Sequence, residues 1–278
     1  MENNNLLDEL IDLAIKEDIA TGDLATQSII ACHERATAVI TAKADGVISG
    51  LGVAEMVLRK LSDDYTFTPS VKDGDKIIKG QEVLRIEASF DALLSAERLM
   101  LNFMQRMSGI ATHTHKLVQL IDGTKARLLD TRKTVPGHRT TDKLAVKHGG
   151  GLNHRMGLYD MAMLKDNHIK AAGGVYEAIT QAKSQLPISI KVEIETTNLD
   201  EVKEAIKAGA DIIMLDNMST EMMCEAVALI DGRAKTEASG NITSARIREV
   251  AETGVDYISV GALTHSVQAL DLSMNFIS

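Results

Sequence analysis

The chain contains few of the residues that mark several classes of protein. Among its 278 residues there is no tryptophan and there are three prolines, whereas methionine occurs 13 times. This composition argues against a disordered or fibrous protein, because both classes are usually rich in proline. The two cysteines, Cys32 and Cys224, have no metal-like spacing, so we expect a reduced, cytoplasmic protein.

Long apolar segments are also missing. No apolar run approaches the roughly 20 residues that a helix needs to span a bilayer. Residues 1–18 are acidic with a helical pattern, whereas a secretory signal has a basic start. The formal net charge of −9 disfavours a nucleic-acid binder, since such proteins usually carry a basic surface. We therefore expect neither a membrane segment nor a nucleic-acid partner.

Basic residues are nevertheless concentrated in one segment, residues 130–170. Its lysines and arginines are Arg132, Lys133, Arg139, Lys143, Lys147, Arg155, Lys165 and Lys170. Arginine binds an anion through a planar fork and lysine as a point charge. The concentration predicts a site for a small, multiply charged anion with carboxylate or phosphate groups. We expect Lys143 and Lys147 to be helix and solvent charges, and a ligand contact by Arg139 stays open.

The second half of the chain alternates between short apolar runs and amphipathic helical segments. The apolar runs end at Asp130, Lys165, Glu195, Asp216, Ser239 and Gly261. Such alternation predicts parallel βα units. The absence of a glycine-rich dinucleotide fingerprint favours a barrel over an open sheet. Gly209, Gly232 and Gly254 follow the helical segments and are expected to close them.

The first third has a different pattern. Residues 36–48 and 66–87 alternate like antiparallel strands, with a helix at about 50–61 between them. A long helical stretch over residues 92–121 joins the two halves. We therefore expect an α+β first domain followed by a barrel domain. Their predicted bounds are residues 1–108 and 109–267.

Polar and small residues follow the predicted barrel strands, at the end where a parallel βα barrel builds its active site. The cationic or potentially cationic candidates are Arg132, Lys133, His154, Arg155 and Lys165. Glu195 and Asp216 are acidic candidates from the middle strands. Small residues whose backbone N–H groups can bind a phosphate come last: Ser239, Gly240, Asn241, Val260, Gly261 and Ala262. This gradient suits an anionic acid beside a sugar phosphate, with the acidic side chains binding ribose hydroxyls or Mg²⁺.

Some residues allow a second interpretation. Glu193 shares a strand face with Glu195, and we favour Glu195 because it lies nearer the strand's end. His113 and His115 resemble a metal pair, but an i, i+2 pair diverges on a helix, which favours surface or interface histidines. His168 is as well suited to orienting a loop as to binding a ligand.

Several motifs occur in an order that is typical of one family. They are EDIATGDLAT, AERLMLNFMQRMSGIAT, DTRKTVPGHR, KHGGGLNHRMGLYD, MLKDNHI, VEIET, IIMLDN, EASGNI and ISVGALTHSVQALDLSM. Together they resemble the quinolinate phosphoribosyltransferases, also called nicotinate-nucleotide pyrophosphorylases (carboxylating). The resemblance covers essentially the whole chain.

The resemblance implies a fold and an activity. The fold is α/β, with an N-terminal α/β sandwich, an incomplete, seven-stranded TIM-like barrel, and residues 268–278 packing back on the first domain. The activity is a pentosyl transfer in NAD biosynthesis. Quinolinate and phosphoribosyl pyrophosphate, the latter with Mg²⁺, give nicotinate mononucleotide, pyrophosphate and carbon dioxide.

The resemblance also implies which candidates bind the substrates. Those that hold the quinolinate carboxylates are Thr131, Arg132, Lys133, Arg155 and Lys165, with His154 close by. Arg98 reaches this site from the neighbouring subunit, so a homodimer is implied. Glu195 and Asp216 bind the ribose or its Mg²⁺-bound pyrophosphate. The 5′-phosphate contacts residues 239–241 and 260–262; some relatives carry glycine at the position of Asn241, so its backbone N–H is the relevant group.

Three of these residues are expected to act in catalysis. Transfer to the pyridine nitrogen passes through an oxocarbenium-like state, which Glu195 and Asp216 stabilise by their charge. The resulting pyridinium favours loss of the adjacent carboxylate, and the ammonium group of Lys133 stabilises the charge left behind.

Two other functions are compatible with the same residues. One is a related transferase that acts on another acid, including the molybdenum-operon homologue that shares these motifs. The other is a non-catalytic sensor of a phosphosugar or a dicarboxylate. The presence of Glu195, Asp216 and Lys133 argues against a sensor, which has no need of groups for a departing pyrophosphate.

Overall fold

The computed structural model describes residues 2–29 and 34–277, so Cys32 lies outside the described residues. Its helices are α1 (Glu2–Asp18), α2 (Leu24–Ile29), α3 (Leu51–Leu61), α4 (Phe90–Leu120), α5 (Arg139–His148), α6 (Asp166–Ala172), α7 (Val175–Gln185), α8 (Leu199–Ala208), α9 (Thr220–Ile230), α10 (Ile247–Glu252) and α11 (Ala262–His265). Its strands are β1 (Arg35–Ala42), β2 (Gly46–Val47), β3 (Thr66–Pro69), β4 (Lys76–Ile77), β5 (Glu82–Ser89), β6 (Arg127–Leu129), β7 (Ala162–Leu164), β8 (Val192–Thr196), β9 (Ile212–Asp216), β10 (Lys235–Ser239), β11 (Tyr257–Ser259) and β12 (Leu272–Ile277). Within these described ranges, no helix combines the length and the apolar character needed to cross a membrane.

The chain divides into two compact units. The first comprises Met1–His115, Thr134–Gly150 and Ala262–Ser278, and the second comprises Lys116–Lys133 and Gly151–Gly261. Helix α4 is continuous from Phe90 to Leu120. The domain bounds given above, with a division after residue 108, stay a prediction.

The first unit contains a four-stranded antiparallel sheet in the order β12–β1–β5–β3. Alternation of side chains across a strand accounts for β1, in which Ala38 and Ile40 are fully buried. The last strand, β12, pairs with β1 along its length. Its Phe276 ring stacks on that of Phe90 with centroids 4.4 Å apart. The predicted antiparallel strands of the first third are therefore confirmed.

Helix α4 buries a stripe of apolar residues. Met100, Met104 and Met107 are fully buried, as their helical spacing indicates. Arg106, on the same helix, donates two hydrogen bonds of 2.9 and 2.8 Å to the carboxylate of Asp142 in α5. Asp142 is fully buried, so this forked ion pair compensates its desolvation and joins α5 to α4.

The second unit contains a parallel sheet of six strands in the order β6–β11–β10–β9–β8–β7. Each apolar run of the second half forms one of these strands, and helices connect most of them. Leu152 adds a single parallel bridge to Leu129 of β6, on the side of the sheet away from β11. The α/β fold class, with an antiparallel sheet first and a barrel-type parallel sheet second, is confirmed.

The helix ends of the second unit follow their sequence signals in part. Helix α8 ends at Gly209, whose φ of 75° is the left-handed conformation that glycine adopts most easily. Helix α9 is instead followed by Asp231, with φ of 44°, whereas α10 is followed by Thr253 in helical conformation and then by Gly254, with φ of 88°. The expectation for Gly254 is therefore confirmed, whereas that for Gly232 is wrong by one residue, because an aspartate tolerates the left-handed region.

Candidate active site

The parallel sheet of the second unit gathers most of the predicted site residues at one edge. Those that lie in the last two positions of its strands or within four residues after them are Thr131, Arg132, Lys133, Lys165, Glu195, Asp216, Ser239, Val260 and Gly261. His154 and Arg155 come just after Leu152, which bridges to β6. Because the carboxyl ends of parallel strands lie at the same edge, these residues share one side of the unit.

Arg132 and Arg155 form a cationic pair at this edge. Burial lowers the pKa of Arg155, and the positive charge of Arg132 lowers it further. The Arg155 guanidinium donates a hydrogen bond from Nη1 to the Met161 carbonyl at 3.0 Å, which orients its plane. A multiply charged anion that binds both groups relieves the repulsion between them.

A hydroxyl turn shapes the chain after β6. The Thr131 hydroxyl accepts a hydrogen bond of 3.0 Å from the backbone N–H of Lys133. Local bonds of this kind fix the backbone where a strand ends. Lys133 is exposed to solvent.

Lys165 and Glu195 form an ion pair across the ends of β7 and β8. Their Nζ and Oε1 atoms lie 2.5 Å apart, and the Lys165 side chain is 46% exposed against 19% for Glu195. The backbone N–H of Lys165 donates to Nδ1 of His168 at 3.0 Å, which closes the first turn of α6. His168 therefore orients this loop, one of the two interpretations that its position left open.

Below this edge, the buried side chain of His154 contacts those of Glu193 and Glu237. Nε2 of His154 lies 3.1 Å from an oxygen of Glu193 and 3.3 Å from an oxygen of Glu237. The exposed fractions of the three side chains are 6%, 0% and 1%. Nδ1 of His154 accepts a hydrogen bond of 2.8 Å from the backbone N–H of Arg155. Nε2 is therefore the ring nitrogen that faces the two carboxylates.

The charges of this cluster shift its pKa values strongly. Burial alone lowers the pKa of His154, but hydrogen bonds and charges from Glu193 and Glu237 outweigh it and raise the pKa to about 10. Burial also raises the pKa of Glu193 to about 7, although His154 partly opposes this rise. Both the ring of His154 and the carboxyl group of Glu193 are therefore protonated more readily than in the unfolded chain.

Two sets of residues in this unit have side-chain atoms that are able to coordinate a metal ion. The ligand atoms of His154, Glu193 and Glu237 lie within 4.8 Å of one another, but the raised pKa of His154 favours its protonated ring, which is not a metal ligand. Glu195 and Asp216 are partly exposed carboxylates at the strand ends. Their hard oxygen atoms fit Mg²⁺.

The chain adopts positive φ angles directly after β9 and again directly after β10. Ser239 ends β10, and the next two residues, Gly240 and Asn241, have φ of 93° and 50°. Asn217, which follows Asp216, has φ of 54°. Unusual backbone conformations of this kind concentrate at ligand-binding sites, since they re-aim N–H groups out of the sheet.

Other predicted residues belong to the first unit. Arg98 is an exposed residue of α4, and Ala262 is the first residue of α11. Arg139 begins α5 and donates from Nε to the Thr134 hydroxyl at 3.2 Å. The proposed roles of these residues stay predictions. The expectation that Lys143 is a solvent charge is wrong, because its side chain is 1% exposed on the buried face of α5.

The sequence reasoning missed three side chains at the sheet. Glu237 lies in the middle of β10, and a glutamate in the middle of a buried run is the signal that identifies it. Asp130 is fully buried. Its carboxylate accepts hydrogen bonds from the backbone N–H of His154 at 2.8 Å and from the side-chain amide of Asn153 at 2.6 Å. The amide of Asn217 has no signal in the sequence, because its partner Asn241 follows another strand.

Comparisons with known proteins agree with this geometry. Residues 23–108 match the sequence model of the quinolinate phosphoribosyl transferase N-terminal domain, and residues 110–275 match that of the C-terminal domain. The probable nicotinate-nucleotide pyrophosphorylase (carboxylating) of Bacillus subtilis is 42% identical over 273 residues, which cover 98% of this chain and 94% of the relative. A mitochondrial quinolinate phosphoribosyltransferase (decarboxylating) of Nicotiana tabacum is 44% identical, with 96% of this chain and 81% of the relative covered.

Solved structures of nicotinate-nucleotide pyrophosphorylases have the same fold as this chain. The nicotinate-nucleotide pyrophosphorylase of Francisella tularensis superposes with a TM-score of 0.94 at 42% identity, with 99% of this chain and 97% of that chain covered. The corresponding protein of Ehrlichia chaffeensis superposes with a TM-score of 0.91 at 36% identity, with 97% and 98% covered. The match of both domain models, of close relatives and of their folds leads to one conclusion: the chain belongs to the quinolinate phosphoribosyltransferase family.

Proposed function

We propose that this protein transfers the phosphoribosyl group of phosphoribosyl pyrophosphate to quinolinate and removes one carboxylate. The products are nicotinate mononucleotide, pyrophosphate and carbon dioxide, a step of de novo NAD biosynthesis. The observation that carries the proposal is the edge of the parallel sheet in a member of this family. Cationic groups follow β6 and β7, the two outermost strands in the sheet order, and carboxylates and a turn of small residues end or follow the strands between them.

The cationic side suits a pyridine dicarboxylate. Arg132 and Arg155 provide two guanidinium groups, and Thr131 provides a hydroxyl beside them. Lys165 would bind a carboxylate of quinolinate, and its ion pair with Glu195 would weaken as it does so. Planar forks recognise planar carboxylates with two hydrogen bonds each, which fixes the orientation of the ring. The ring nitrogen is then held at a defined position for attack.

The other side suits the phosphoribosyl group. Glu195 and Asp216 would bind the ribose hydroxyls, or the Mg²⁺ that enters with the pyrophosphate and neutralises its charge. The 5′-phosphate would bind backbone N–H groups of residues 239–241 and 260–262. Binding of both substrates at fixed positions converts an encounter of two anions into a reaction within one site.

The chemistry follows from these positions. The quinolinate nitrogen forms a bond to the anomeric carbon as the bond to pyrophosphate breaks, and the carboxylates of Glu195 and Asp216 stabilise the positive charge that develops on the sugar. The ring becomes a pyridinium. The C2 carboxylate then leaves as carbon dioxide, its electron pair stays on C2, and Lys133 stabilises that charge before a proton replaces the lost group.

The roles of His154 and Arg98 complete the proposal. His154 lies next to Arg155 in sequence and would support the quinolinate side. Arg98 would enter the site of the neighbouring subunit, which makes the functional form a homodimer. We place the enzyme in the cytoplasm, a proposal supported by the free, exposed Cys224.

A comparison of two acids tests the proposed function. The purified protein is incubated with phosphoribosyl pyrophosphate, Mg²⁺ and either quinolinate or nicotinate, which lacks the C2 carboxylate. We expect nicotinate mononucleotide and carbon dioxide from quinolinate, and far slower product formation from nicotinate. No turnover of quinolinate, despite binding, would favour a sensor. Faster turnover of another acid would favour a related transferase.

A further inference from the structure

We propose that Asn217 is a positioning residue for phosphoribosyl transfer: its side chain holds the Asp216 carboxylate in register with the turn at residues 239–241. The inference rests on the proposed function, in which Asp216 and this turn bind opposite ends of the phosphoribosyl group. Asn217 has no assigned role in binding or catalysis.

The backbone places Asn217 between the two strand ends. Asp216 lies opposite Ser239 in the parallel pairing of β9 with β10. One residue further along, the N–H of Asn217 donates to the Ser239 carbonyl at 2.9 Å. The last ladder bond between these strands therefore comes from Asn217, immediately before the turn begins.

The side chain continues this connection. Nδ2 of Asn217 donates to Oδ2 of Asp216 at 2.8 Å, and Oδ1 of Asn217 accepts from Nδ2 of Asn241 at 3.0 Å. The orientation of the amide follows from its partners, because a carboxylate accepts hydrogen bonds and donates none. Only a group with a donor and an acceptor at its two ends can make both bonds, so the amide is required.

The backbones of Asn217 and of its partner Asn241 adopt the same unusual conformation, with positive φ. Among the described residues, the non-glycine residues with positive φ are Ala20, Asn217, Asp231 and Asn241. Two of these four occupy neighbouring strand ends and are bonded to each other. Asparagine tolerates the left-handed region better than most residues, so both positions combine an amide with the required conformation.

Gly240 provides the space for the amide. A Cβ atom built on Gly240 would lie 2.3 Å from Oδ1 of Asn217, far inside a normal contact. Its φ of 93° also disfavours any side chain. The turn therefore packs its backbone directly against the Asn217 amide, and a movement of either one displaces the other.

This arrangement predicts a selective effect on one substrate. Loss of the amide frees the Asp216 carboxylate to rotate and releases the 239–241 turn, so both contacts to the phosphoribosyl group weaken. The quinolinate contacts come from other strands and keep their geometry. The KM for phosphoribosyl pyrophosphate should therefore rise about tenfold or more, as expected for lost hydrogen bonds to a charged group, while the KM for quinolinate stays within about twofold.

Steady-state kinetics of matched variants test the proposal. Asn217→Ala removes the amide, and Asn217→Gly removes it while relieving the positive φ, so the second variant keeps the test valid if the first folds poorly. Asn241→Gly keeps the bond to Asp216 and should raise the same KM by a smaller factor. Asp231→Gly, at the left-handed end of α9, is the control for backbone effects and should leave both KM values unchanged.

The outcomes separate this inference from the proposed function. Absence of quinolinate turnover by the unmodified enzyme would overturn both. Turnover by the unmodified enzyme, together with an unchanged KM for phosphoribosyl pyrophosphate in Asn217→Gly, would overturn the positioning role alone. An equal rise of both KM values would also overturn it, because general loss of structure acts on both substrates. A selective rise in Asn217→Ala and Asn217→Gly would support it.

Discussion

Lys165 and Glu195, which are expected to bind different substrates, contact each other at 2.5 Å. Lys165 is assigned to the quinolinate side of the site and Glu195 to the sugar side. Their ion pair therefore lies where the two substrates would meet. A cation and an anion that neutralise each other can both be kept near the surface of a site at little cost in stability.

Replacement of Lys165 should affect turnover much more than stability. For Lys165→Met we expect turnover to fall at least about tenfold, because a charged contact to a carboxylate is lost. The pair is partly exposed, so the loss in free energy of unfolding should be at most about 1 kcal/mol, or a Tm shift of no more than about 4 °C.

Lys203→Met is the matched control for this prediction. Lys203 forms an exposed ion pair with Asp200 at 2.7 Å, outside the site. Its replacement should leave turnover unchanged. Equal turnover in Lys165→Met and Lys203→Met would contradict the assignment of Lys165 to the site.

The buried cluster of His154, Glu193 and Glu237 should make stability depend on pH. The pKa of Glu193 is raised from 4.5 to about 7, and that of His154 from 6.5 to about 10. In both cases the folded protein binds more protons than the unfolded chain between the two values, so the free energy of unfolding falls as pH rises. The contribution of Glu193 is complete below about 4.5 and lost through about 7, and that of His154 is complete below about 6.5 and lost through about 10.

Urea unfolding of Glu193→Gln across this pH range measures the effect. The glutamine keeps the shape of the side chain but cannot ionise, and it removes one of the charges that favour protonated His154. The decline of unfolding free energy with pH should therefore be shallower than in the unmodified protein. Glu82→Gln, which changes a carboxylate paired with Arg85 in the first unit, is the control. An unchanged slope in Glu193→Gln would contradict the raised pKa of Glu193.

Mixing of two inactive variants tests whether Arg98 acts across a dimer interface. Each site would contain Arg155 of its own subunit and Arg98 of the neighbour. A mixed dimer of Arg98→Ala with Arg155→Ala then has one intact site. Random exchange of subunits should restore about one quarter of the unmodified activity.

The control for this experiment mixes Arg132→Ala with Arg155→Ala. Both residues follow strands of the same unit, so every site of the mixed dimer carries one defect and no activity should return. Failure of the first mixture to recover, with subunit exchange verified, would place Arg98 outside the neighbour's site.

Much of the second unit could be read from the sequence because its signals are local. Each apolar run became a parallel strand, and the polar residue at its end, such as Asp216, marked the functional edge. Family motifs then assigned these residues to substrates. The position of Leu152, which adds one bridge and no full strand, has no comparable local signal.

The remaining features depend on contacts between distant segments. The pairing of His154 with Glu193 and Glu237 requires the sheet order, which periodicity alone does not give. Lys143 was assigned to solvent because a charge on a helix usually is, but α5 buries the face that carries it. The side-chain hydrogen bond between Asn217 and Asn241 depends on two left-handed backbone conformations, which no pattern in the sequence predicts.

The most direct test of the central claim follows the fate of the C2 carboxylate. Quinolinate labelled in that group is incubated with the enzyme, phosphoribosyl pyrophosphate and Mg²⁺, and both labelled carbon dioxide and nicotinate mononucleotide are measured. We predict one labelled carbon dioxide for each nucleotide formed, no release without phosphoribosyl pyrophosphate, and a loss of orders of magnitude in Lys133→Ala. Retention of the label in the product, or no nucleotide at all, would contradict the account.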